Sequence, residues 1–168
     1  MSDDPFAQLK QALEPRDVDA GRIGGLVDQL EDELPEGIDA PALLSELRPL
    51  LEQAASPAEV LLFLVRLARE RDAGPVFEDI ERVCVFVELA RQGIYLARTL
   101  LRHPEDIPYL TEAASSRARD VSSLTAELHE RLDGVQEDIE GEVHRELRRL
   151  KRRESLRIFL REVRGQAS

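Results

Sequence analysis

Eight cations crowd the end of this chain: Arg148, Arg149, Lys151, Arg152, Arg153, Arg157, Arg161 and Arg164. Guanidinium forks match the oxygens of carboxylates and phosphates. Arg148, Arg149, Arg152, Arg153, Arg157 and Arg161 are therefore the candidate contacts for an anion or an acidic partner. The competing role is internal pairing, because Glu146 stands three residues from Arg149, and Glu154 three residues from Lys151 and Arg157. From Glu142 to Arg164 there are nine Lys/Arg and four Asp/Glu. Pairing along the helix thus leaves cations over, and structural packing and anion contact both stay open.

Other reactive residues point to no chemistry of their own. Asp17-Val-Asp19 is the single Asp-x-Asp. Such a pair can hold two Mg²⁺ ions when a strand carries both carboxylates, but no strand-like run adjoins it, and a solvated, helix-capping turn is the better reading. His103, His129 and His144 stand too far apart in sequence to share a metal at helical spacing. His103 fits a contact at a helix C-terminus. Cys84 lies in Arg82-Val-Cys-Val-Phe86, where a buried core residue is expected. Gly21-Arg-Ile-Gly-Gly25 matches neither a GxGxxG fingerprint nor a P-loop. No catalytic, cofactor-binding or metal residue is assigned within the chain.

The elements that must position these residues are helices. Aromatic content is 4%, with no Trp, and 34% of residues are charged. A core made of Leu, Val, Ile and Ala favours helices, and wide charged faces suit a helical array. The expected fold is all-α, an elongated multi-helix array or bundle ending in a long Arg-rich helix, with residues 1–168 as one helical domain.

Residues 5–14 predict an amphipathic helix with Phe6, Leu9 and Leu13 on one side. The second helix runs through Ile23, Val27 and Leu30 to Leu34, and its glycines predict fraying. The third begins near Pro41 and carries Leu43, Leu44, Leu47, Leu50 and Leu51. Ser56-Pro57-Ala-Glu59 reads as an N-cap, a first-turn proline and a capping box, opening a helix to about Arg71.

Residues 76–103 predict one long buried helix, with Gly93 as a kink or a point of close approach for a neighbouring helix, ended by His103-Pro104. A short helix with Ile107, Tyr109 and Leu110 follows. Residues 122–163 predict a single long helix, starting at Ser122 or Ser123 and open to interruption at Gly134 or Gly141. Gly165 to Ser168 reads as a ragged end. Leu156, Phe159, Leu160 and Val163 form its last apolar patch, which would favour self-association if exposed.

The formal net charge is −11, which argues against a general nucleic-acid binder. One cysteine excludes an intramolecular disulfide. No basic, apolar leader opens the chain, and no uncharged apolar run approaches the roughly 20 residues that span a bilayer. A cytoplasmic protein with no membrane partner is expected.

Two segments carry a family resemblance. Arg153-Glu154, Arg157-Ile158 and Arg161-Glu162 follow one another at fixed spacing behind an Arg-rich run. Upstream, Arg102-His103-Pro104-Glu105 follows the apolar Tyr95–Leu101. Together they resemble the N-terminal helical region of the glutamine synthetase adenylyltransferase/deadenylase family. The resemblance covers about residues 76–164, while residues 1–75 match only in helical character. Ser155 departs from the pattern, since the family more usually has an apolar residue there.

The resemblance implies a regulatory enzyme that transfers AMP from ATP, with Mg²⁺, to a tyrosine of glutamine synthetase and removes it by phosphorolysis. It implies glutamine synthetase and a nucleotidyltransferase domain as partners. The family's Gly-rich turn and Asp-x-Asp strand lie beyond the Arg-Glu helix, so this chain is expected to be inactive alone. The alternative is a free-standing helical adaptor that binds an acidic protein through its Arg-rich helix.

Overall fold

The computed structural model describes residues 4–16, 20–112, 120–133 and 139–166. Among the described residues there are ten α-helices, two short 3₁₀ turns and no strand. The protein is an all-α multi-helix array, as its composition predicts. Two compact units are present, residues 1–111 and residues 112–168.

The first unit is built from α1 (Pro5–Leu13), α2 (Ala20–Glu33), α3 (Ala40–Glu52), α4 (Pro57–Arg69), α5 (Gly74–Phe77), α6 (Ile80–Ala90), α7 (Ile94–Arg102) and α8 (Asp106–Glu112). Helix α4 is its centre. It packs on α2, α3, α6 and α7, and Val60, Leu61, Leu64, Val65 and Leu67 are buried along it. Ile23, Val27 and Leu30 of α2, Leu43, Leu47 and Leu51 of α3, and Val85, Phe86 and Leu89 of α6 complete the core.

Short polar side chains set the helix starts. Asp4, Asp39 and Asp79 accept backbone N–H groups of Phe6, Ala42 and Glu81 at 3.0, 3.0 and 2.9 Å. Ser56 Oγ accepts the Glu59 N–H at 3.4 Å, with Pro57 in the first turn. Each cap satisfies a donor that the helix itself leaves open. Lys10 of α1 forms an ion pair with Asp28 of α2, and this contact raises the lysine's pKa.

Several expectations are corrected. Helix α2 is continuous despite its glycines, because burial of Ile23, Val27 and Leu30 outweighs their weak helix propensity. Residues 76–103 are three helices rather than one. The Asp79 carboxylate starts a new helix at Ile80. After Ala90 the chain tightens, with Gln92 and Gly93 N–H groups donating to Leu89 and Ala90 carbonyls, and Gly93 is extended before α7. Termination of α7 at His103 matches the expectation from Pro104.

The second unit contains α9 (Val121–Leu132) and α10 (Ile139–Val163), which pack on each other. The expected single helix over residues 122–163 is thus two. Asp133 turns to an extended backbone after α9, whereas Gly141 lies inside α10; Gly134 lies outside the described residues. The N-cap of α9 is Asp120, which accepts the Ser123 N–H at 2.8 Å. These serine contacts hold the Asp120 carboxyl below its ordinary pKa.

The end of α10 is capped rather than ragged. Gly165 has φ of +67°, the Gln166 N–H donates to the Arg161 carbonyl at 2.8 Å, and the Gly165 N–H donates to Glu162 at 3.0 Å. This is a Schellman arrangement, which needs a left-handed residue that glycine adopts without steric cost. The last apolar patch is also divided. Leu156 and Leu160, one turn apart, are buried, while Phe159 is 45% exposed and Val163 is half-buried.

Candidate functional site

The Arg-rich helix α10 does not present one uniform basic face. Arg153 and Arg157 are 6% and 4% exposed, on the same side as Leu156 and Leu160. Arg157 Nε donates to Glu154 Oε2 at 2.8 Å. Arg149 lies 3.7 Å from Glu146, and Arg161 donates to the Gln166 carbonyl at 2.9 Å, although the buried Nε of each has no hydrogen-bond partner. Arg152 is half-buried, while Arg148 and Lys151 are exposed. Of the six candidate anion contacts, Arg148 alone stands fully on the surface. Among the described residues, Arg148 forms no ion pair.

Glu146 ties α10 to α9. Arg131 of α9 donates to Glu127 at 2.8 Å and reaches Glu146 at 3.7 Å. The latter separation is an ion pair without a hydrogen bond, in keeping with the unsatisfied Glu146 Oε2. Much of the acidic charge near α10 is thus engaged within its own unit.

Other expected sites have structural roles or fall elsewhere. Asp17 and Asp19 lie outside the described residues. The His103 N–H closes the end of α7 on Thr99 at 3.1 Å, and its ring pairs with Glu105 at 3.2 Å. His144 lies 3.9 Å from Glu140. Cys84 is only half-buried, not a full core residue, because it shares the outward stripe of α6 with Glu81 and Glu88. Among the described residues, no group of three or more His, Cys, Asp or Glu could hold a metal ion, and no helix is long and apolar enough to cross a membrane.

One constellation was not singled out from the sequence. Arg66, Arg69 and Glu70 at the end of α4 and Arg98, Leu101 and Arg102 at the end of α7 line a groove of about 390 Å³. Arg69 is engaged by Glu33 at 2.9 Å and Gln29 at 3.5 Å, and Arg66 lies 5.9 Å from the centre of the Phe63 ring. Among the described residues, Arg66, Arg98, Arg102 and Glu70 form no ion pair. The sequence does carry a signal: Arg66 and Arg69 are three residues apart, and Arg98 and Arg102 are four apart, each pair in the closing turns of an apolar helix. What joins the pairs is the packing of α4 on α7.

A larger cavity of about 460 Å³ has the opposite character, with Glu36, Asp39 and Glu78 around Ile38, Phe77 and Ile80. Asp39 is already engaged there as the cap of α3. Comparison with protein-family models, curated proteins and solved structures returns no match.

Proposed function

We propose that this chain is the non-catalytic N-terminal helical part of a glutamine synthetase adenylyltransferase/deadenylase, supporting a nucleotidyltransferase domain. The observation that carries this reading is the burial of Arg153 and Arg157. Both belong to the Arg-Glu, Arg-Ile, Arg-Glu segment on which the resemblance rests. Buried guanidiniums need partners at defined positions, and Glu154 supplies one for Arg157. The segment is thereby suited to scaffolding. Arg102 to Glu105, the other resembling segment, ends α7 and turns the chain into α8.

The test combines this chain with a nucleotidyltransferase domain of that family, glutamine synthetase, ATP and Mg²⁺. The chain alone is expected to transfer no AMP and to bind the domain in a defined ratio. Transfer by the chain alone, or no association with the domain, sinks the proposal.

A second reading, an adaptor for an acidic protein, is favoured by the exposure of Arg148 and Lys151 on α10. It requires a salt-sensitive complex that Arg148→Glu with Lys151→Glu abolishes. A complex that survives both changes removes this reading.

A further inference from the structure

We propose that the groove between the ends of α4 and α7 binds an oligophosphate anion, free or as the tail of a nucleotide, through Arg66, Arg69, Arg98 and Arg102. This inference does not rest on the adenylyltransferase reading.

The first ground is charge. Residues 1–111 hold 22 Asp/Glu and 11 Lys/Arg, so this unit carries a net charge of −11. Four arginines nevertheless line one groove, with Glu70 as the single carboxylate in its lining. The simplest structural role for such arginines is to offset the negative helix ends, each worth about half a charge. Two helix ends therefore balance about one guanidinium, and Glu33 engages Arg69. Even if Glu70 is counted against a third arginine, cationic charge remains unbalanced.

The second ground is the state of the side chains. Arg66, Arg98 and Arg102 are exposed, and Glu70 pairs with none of them among the described residues. A ligand therefore has no strong internal ion pair to displace at these three positions.

The third ground is shape. A groove of about 390 Å³ lies at the small end of ligand sites. One carboxylate offers two oxygens, too few for four forks arriving from two helices. A di- or triphosphate offers several oxygens along its length, and arginine contacts phosphate through two parallel hydrogen bonds. Leu101 is the sole apolar residue in the lining.

Titration calorimetry of the full chain with pyrophosphate and tripolyphosphate tests the proposal. Binding is expected to strengthen with the number of phosphates and weaken with salt. Arg98→Ala and Arg66→Ala, both surface changes, are each expected to weaken it about tenfold. Arg98→Lys, which keeps the charge and loses the fork, should fall between Arg98→Ala and the unaltered chain. Arg22→Ala, an exposed arginine of α2 outside the groove's lining, should leave binding unchanged. Equal affinity for pyrophosphate and a nucleoside diphosphate assigns the site to phosphate alone; tighter nucleotide binding adds a contact to the base, and both outcomes support the proposal. No heat at millimolar pyrophosphate overturns it. So does a loss in Arg22→Ala matching that in Arg98→Ala, or equal affinity for citrate or a tetraglutamate peptide.

Discussion

Leu64 and Leu128 sit on amphipathic helices in different units, yet Leu64 is completely buried and Leu128 is half-buried. Around α4, four other helices supply apolar side chains from several directions. Helix α9 packs on α10 and has no fully buried residue. An amphipathic stripe becomes core only when enough neighbours close over it. The first unit derives its stability from a shared leucine core. In the second, Leu156 and Leu160 of α10 are buried, while the half-buried leucines of α9 are supplemented by ion pairs such as Arg131 with Glu127 and Glu146.

The strongest way to break this contrast is to truncate both leucines. Leu64→Ala should destabilise the first unit by about 3–5 kcal/mol, the range for a fully buried leucine. Leu128→Ala should cost about 1 kcal/mol, because much of its side chain already meets solvent. Urea unfolding followed by circular dichroism gives both values, and equal losses would end the distinction.

A second comparison lies within α10. Arg157→Ala removes a buried guanidinium and leaves Glu154, 13% exposed, without that partner. A loss of about 2–3 kcal/mol is expected. Arg148→Ala, on the surface, should change stability by less than about 0.5 kcal/mol. Similar small effects from both would show that the buried arginine is not held by its pairing.

Smaller effects sharpen the local rules. Ser56→Ala should cost about 1 kcal/mol by leaving the Glu59 N–H without its cap, and Ser56→Asp should recover most of that loss. Gly25→Ala should stabilise α2 by about 0.5–1 kcal/mol, since a Cβ there meets nothing within 4 Å. A loss at Gly25 would mean that α2 needs its glycine for a reason other than space.

The pH dependence of α9 is the mildest test. The Ser123 hydrogen bonds lower the pKa of Asp120 in the folded protein. Its stabilising contribution is therefore complete above the ordinary carboxyl range and is lost as pH falls through the lowered folded value. The Ser123 amide resonance should follow that titration below the ordinary carboxyl value of 3.8. A midpoint above 3.8 would contradict the cap.

The sequence by itself determined the all-α class, the faces of α1 to α4, the Ser56 cap and the stop at His103-Pro104. Each follows from local periodicity or from a side chain bonding its own helix end, which neighbouring residues decide. Where a helix restarts or begins was less legible: Asp79 and Asp120 are ordinary polar residues until their carboxylates meet the backbone N–H groups of a new turn. Gly165 likewise acquires its meaning from the positive φ that closes α10. Tertiary structure alone decided that Arg153 and Arg157 are buried while Arg148 is not, because burial depends on what covers each side of the helix. It also decided that Arg66, Arg69, Arg98 and Arg102 share a groove. Charge along a chain is visible in one dimension, whereas an electrostatic site is a sum over distances that only packing sets.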